Sequence, residues 1–159
     1  SYESFRESSP YFDSESFKNL IECHQNSLES LRLWINSHMA KCIGIVKNLS
    51  KLKVLEARIS EDIPGFFDVL KTLDLHTLIM SLMEASLTIS EVSIKTLRAA
   101  LLNMSKLENF TLKSVSYLSH VNSEFLSALA FDCSKIQTLK KFHLKIRSRA
   151  CHSLLFLEN

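Results

Sequence analysis

Two neighbouring pairs, Cys23-His24 and Cys151-His152, carry the residue types that bind zinc or form an activated thiolate. The pairs are far apart in sequence, and neither has the C-x-x-C or H-x-x-x-H spacing with which one local turn presents two ligands. A buried cysteine beside a helix-end histidine is the simpler reading, and no metal site is assigned. A thiol nucleophile would also need an oxyanion site and a residue orienting the histidine, and no motif supplies them. Gly44 and Gly65 are the only glycines, so a glycine-rich phosphate cradle of the Walker or dinucleotide kind is excluded. No residue is given a catalytic role, no cofactor is expected, and the chain is read as a binding protein.

The elements that must position any binding residues return five times. The pattern L-x-x-L-x-L occurs as LESLRLWIN from Leu28, LKVLEARIS from Leu52, LHTLIMSLM from Leu75, LENFTLKSV from Leu107 and LKKFHLKIR from Leu139. Successive units begin 24, 23, 32 and 32 residues apart. Apolar residues alternate within each patch, which predicts a strand, and between patches the period shifts toward 3.6, which predicts a helix. The predicted helical faces are Phe17, Leu20, Ile21 and His24; Met39, Cys42, Ile43 and Val46; Phe66, Phe67, Leu70 and Leu73; Ile94, Leu97, Leu101 and Met104; and Leu126, Leu129, Ala130 and Cys133. Asn36 or Ser37, Ser90, and Asn122 or Ser123 are candidate caps, with Pro64 suited to a first turn.

The first unit resembles the L-x-x-L-x-L-x-x-N consensus of leucine-rich repeats at each defining position. Units with helices resemble the ribonuclease-inhibitor-like class. VNSEFLSALAFDCSKIQTLKKFHL, from Val121 to Leu144, is similar to the helix, cysteine and strand layout of F-box leucine-rich-repeat proteins. The resemblance runs from about Phe17 to Phe156. It implies an α/β solenoid of five to six units, a curved parallel sheet with outer helices, in which one strand and one helix bury their apolar faces only by stacking on neighbours. The ninth position departs from the consensus: Asn36 is followed by Ser60, Met83, Val115 and Arg147, so no regular asparagine ladder is expected. An all-α array of stacked helix pairs is the alternative, since low Gly and Pro and abundant Leu also describe it.

Residues 1–16, with Ser1, Ser4, Ser8, Ser9, Ser14 and Ser16 around Pro10, read as a loose leader or N-terminal cap, and 17–159 as the repeat domain. SLLFLEN, from Ser153 to Asn159, looks like the start of a sixth unit, so the chain is expected either to continue beyond Asn159 or to cover its open end with this tail.

Within each patch the leucines at the fourth and sixth positions point inward, so the third, fifth and seventh face the concave side. The third positions are Ser30, Val54, Thr77, Asn109 and Lys141. The fifth are Arg32, Glu56, Ile79, Thr111 and His143, and the seventh are Trp34, Arg58, Ser81, Lys113 and Lys145. Arg32, Arg58, Lys113, Lys141 and Lys145 are opposed only by Glu56, a local excess of +4 in a chain whose formal net charge is +2. Trp34 beside Arg32 and Arg58 is the mixture enriched at binding hot spots. The expected partner is a protein with an acidic segment, anchored on Trp34 and steered by the lysine end, with His143 among the contacts.

Composition limits the rest. The 159 residues are 46% apolar, enough for one domain with a core. A pI of about 8.3 is below that of most nucleic-acid binders, which disfavours nucleic acid as the partner. There is no apolar run of membrane-spanning length and no signal-like leader, so an intracellular protein, cytoplasmic or nuclear, is expected without a membrane partner. Four cysteines do not reach the density of a disulfide scaffold and fit a reducing compartment. The F-box resemblance implies the substrate-recruiting part of a ubiquitin-ligase adaptor. The repeat region of an immune-type sensor and an RNA- or phosphate-ligand module are the alternatives.

Overall fold

The computed structural model describes residues 3–4, 14–84, 87–114, 123–147 and 152–158, with 3–4, 123–124, 146–147 and 152–158 given by backbone alone. In chain order the elements are β1 (Glu3–Ser4), α1 (Ser14–His24), β2 (Ser30–Ile35), 3₁₀ turns at Met39–Lys41 and Ile43–Asn48, β3 (Val54–Ile59) and α2 (Pro64–Leu70). There follow β4 (Thr77–Leu82), α3 (Glu91–Asn103), β5 (Asn109–Ser114), α4 (Ser123–Ser134), β6 (Lys141–Arg147) and β7 (His152–Glu158). The seven strands form one sheet in sequential order, parallel from β1 to β6. The protein is therefore mixed α/β, and the sheet excludes the all-helical alternative. That alternative failed because the strand patches alternate with period 2, which no helix can bury on one side.

Strands β2 to β6 each begin at the third position of a sequence unit, and their register aligns the units position for position. Ser30, Val54, Thr77, Asn109 and Lys141 form one row. Leu31, Leu55, Leu78, Phe110 and Phe142 form the next, all buried, as are Leu33, Ala57, Met80, Leu112 and Leu144 two residues on. The rings of Phe110 and Phe142 stack at a centroid distance of 5.6 Å. These rows and the buried helix residues make one core cluster, so the helices cover one face of the sheet, each packed against the next in sequence.

The joint between units is the same each time. The carbonyl of Glu29 accepts from the N–H groups of Lys53 (2.8 Å) and Val54 (3.0 Å). Those of Lys53, His76 and Glu108 do the same for His76 and Thr77, Glu108 and Asn109, and Lys140 and Lys141. Both lone pairs of the carbonyl are thereby used.

Unit length sets helix length. The 32-residue units hold α3 with 13 residues and α4 with 12, whereas the 23-residue unit holds α2 with 7. The first connection was expected to be α-helical through Met39, Cys42, Ile43 and Val46; it is instead 3₁₀. The next unit is one residue shorter and still holds an α-helix, so composition decides: Ile43, Gly44, Ile45 and Val46 are poor helix formers. The tighter turn aligns Ile43, Val46 and Leu49 at intervals of three, and all are buried.

The local signals hold at three ends. Asn36 Oδ1 accepts from the Met39 N–H at 3.2 Å, Ser90 Oγ from the Ser93 N–H at 3.2 Å, and Pro64 occupies the first turn of α2. Glu91, in the first turn of α3, pairs with Lys95 at 2.8 Å, and that ammonium holds its carboxyl below the usual range. Asn122 lies outside the described residues.

The segment expected to open a sixth unit runs the other way: β7 is antiparallel to β6, from Lys141 opposite Glu158 to Arg147 opposite His152. Only four residues separate the two strands, too few for the helical crossover that a parallel strand needs. At the other edge Glu3 and Ser4, within the proposed leader or cap, pair in parallel with Leu31 and Arg32.

Candidate functional site: the sheet face opposite the helices

The pleat turns the third, fifth and seventh positions to the face opposite the helices. All fifteen residues there are half-buried or exposed except Ser81, which is buried. The register makes the fifth positions Arg32, Glu56, Ile79, Thr111 and His143 one cross-strand row, and the seventh positions Trp34, Arg58, Ser81, Lys113 and Lys145 another. Sequence reasoning thus placed every candidate residue on one surface.

The two halves of that surface differ in charge balance. On β2 and β3, Arg32 Nε donates to Glu56 Oε2 at 2.7 Å, and Arg58 Nε approaches Glu56 Oε1 at 3.6 Å. The Glu56 side chain is 18% exposed, so a sheltered carboxylate lies between two guanidiniums and lowers their joint charge. Trp34 is half-buried. Its indole N–H donates to Ser60 Oγ at 3.1 Å, while the Ser60 hydroxyl donates to the Ile35 carbonyl at 3.1 Å. The ring is thereby fixed in orientation.

On β5 and β6 the lysines have no ion-pair partner among the described side chains, although the register of β7 sets Glu158 opposite Lys141. Lys113 and Lys145 are register neighbours, Lys141 lies four residues before Lys145, and none of the three enters an ion pair among the described residues. His143, half-buried, sits between Lys141 and Lys145 on β6. Between the halves, β4 contributes Thr77, Ile79 and Ser81, which carry no charge. The excess counted from sequence is therefore concentrated at the lysine end, because Glu56 engages the two arginines.

Other polar pairs belong to the scaffold. Lys53 and Glu29 pair at 2.7 Å, Lys106 and Asp74 at 3.0 Å, and Lys140 and Glu108 at 3.1 Å, each joining successive units. The Lys53 ammonium, by hydrogen bond and by charge, holds the Glu29 carboxyl below its ordinary value. Arg98 of α3 forms a two-pronged pair with Asp132 of α4, which is 3% exposed. Sequence reasoning missed this pair and the role of Ser60. The former joins residues 34 apart, and the latter shows only as a ninth position that departs from the consensus asparagine.

No group of three potential metal ligands occurs among the described residues. Cys23 is exposed and Cys133 buried, both free thiols, and Cys151 lies outside the described residues. Burial, with the nearby Asp132 carboxylate, pushes the Cys133 thiol up to about 12, which keeps it protonated and a poor nucleophile. On the helix side a groove of about 410 Å³ runs between α1 and the 3₁₀ turns, lined by Lys18, Lys41, Cys42, Ile45 and Lys47 among others. Burial raises the Cys42 thiol there as well.

No helix among the described residues is long and apolar enough to cross a membrane. Compared with known proteins, the chain matches no family model and no curated sequence.

Proposed function

We infer that the chain is a leucine-rich-repeat module that binds an acidic segment of a partner protein on the sheet face opposite its helices, without chemistry of its own. The observation that carries this reading is the cluster of Lys113, Lys141 and Lys145, which enters no ion pair among the described residues while Arg32 and Arg58 share Glu56. Ammonium groups on a sheet face steer acidic partners and select against basic ones. A role as the substrate-recruiting part of an F-box-type adaptor accords with such a face and with the resemblance of the repeats.

The test is selection from a displayed random-peptide library on the wild type and on Lys113→Glu, Lys145→Glu. Acidic peptides are expected on the wild type and lost on the variant. Equal enrichment of the same peptides on both proteins would sink the reading.

A further inference from the structure

The face carries two features a partner can use, and the register fixes their separation. Trp34 and Lys113 lie in one cross-strand row, three strands apart, and Lys145 is four strands from Trp34. At about 4.8 Å per strand these spans are roughly 14 and 19 Å. An extended peptide advances about 3.3 Å per residue, so four to six residues bridge them. The path crosses β4, where Ile79 is half-buried and Ser81 buried, and meets no charge there.

We propose that the occupant is an extended protein segment lying across the strands, with an apolar side chain on Trp34 and two or more carboxylates four to six residues away on Lys113 and Lys145, Lys141 lying farther back along β6. This rests on the reading of the face as a protein-binding surface. Carboxylates are favoured over a phosphate group for two reasons. Phosphate is best read by bidentate guanidinium, and the guanidiniums of this face are engaged with Glu56. The three ammoniums are also spread over two strands, with Lys141 and Lys145 about 13 Å apart along β6, which suits separate carboxylates. Strand addition at β6 is not the binding mode, since β7 already pairs with it from Lys141 to Arg147.

Trp34 is the only tryptophan in the chain, so its fluorescence reports on one end of the proposed site. The probes are tryptophan-free peptides with one leucine and four glutamates separated by two, five or ten prolines, a stiff spacer of about 3.1 Å per residue. The five-proline peptide is expected to change Trp34 emission and to bind about tenfold tighter than the other two, because only it spans both features. Lys113→Gln, Lys145→Gln, with its melting temperature checked against the wild type, is expected to lose about tenfold in affinity.

Equal, lysine-dependent binding of all three peptides overturns the spacing and leaves the protein-binding reading standing. A phosphoserine version that binds tenfold tighter than the glutamate peptide overturns the carboxylate assignment. If no peptide binds and an oligouridine RNA does, the protein-binding reading falls with the inference.

Discussion

Glu56 holds Arg32 across the β2–β3 junction, with Oε2 2.7 Å from Nε and the carboxylate largely sheltered from solvent. The same group lies 3.6 Å from Arg58, so one anion occupies the place that an incoming acidic side chain would take. Glu56→Gln is expected to tighten binding of a polyglutamate peptide about threefold, since Arg32 and Arg58 then contribute their full charge. The loss of stability is expected to be no more than about 1 kcal/mol, because the arginines remain partly solvated. Peptide titration and urea unfolding of the same variant check both parts, and weaker binding would contradict the account.

Ser60 relays between the Trp34 indole and the Ile35 carbonyl. Ser60→Ala leaves the half-buried indole N–H without its acceptor, at a cost of about 1 kcal/mol. The single-tryptophan emission is expected to move to longer wavelength as the ring meets more water. An unchanged spectrum would show that Ser60 does not fix the ring.

The two halves of the α3–α4 ion pair are unequal: Asp132 is buried, whereas the Arg98 side chain is 38% exposed. Removing Asp132 returns a guanidinium to water, but removing Arg98 strands a buried carboxylate. Arg98→Met is therefore expected to be the more damaging change, leaving Asp132 unpaired at about 2 kcal/mol. Asp132→Ala should cost less. Chemical denaturation of the two variants gives the order, and the reverse order would refute the argument.

Acid is expected to weaken the junction between the third and fourth units. Slight burial pushes the Asp74 carboxyl up, but the Lys106 ammonium and N–H and the Ser105 hydroxyl together pull it below its ordinary value. A folded-state value lower than the unfolded one means that its stabilisation is complete at neutral pH and is lost as pH falls through the folded-state value. Asp74→Asn is thus expected to be less stable than the wild type at neutral pH, with the gap closing once the carboxylates are protonated. A gap that persists in strong acid would point to packing in place of charge.

The strand rows were legible because each unit repeats a period-2 pattern with one face apolar, and a slip of one residue would bury Arg32 or Glu56. The caps at Asn36 and Ser90 and the Pro64 start were legible because they act within a few residues. The 3₁₀ turns around Gly44 were not, since a stripe at intervals of three or four fits either helix over so short a length. Nor was the direction of β7: LLFL has the composition of a strand in either sense, and the length of the connection decides between them. At the site, position could be read and pairing could not. Trp34 and Ser60 are neighbours only because β2 and β3 lie side by side.

Four carbonyls, those of Glu29, Lys53, His76 and Glu108, each receive two N–H groups from the following unit, whether that unit starts 23, 24 or 32 residues later. The backbone is satisfied at every boundary by the same local arrangement, and what lies between boundaries does not enter it. Such a chain can gain, lose or resize a repeat without creating a new kind of seam. The interchangeable part is the joint, which frees the intervening helices to differ in length and the strand faces to differ in what they recognise.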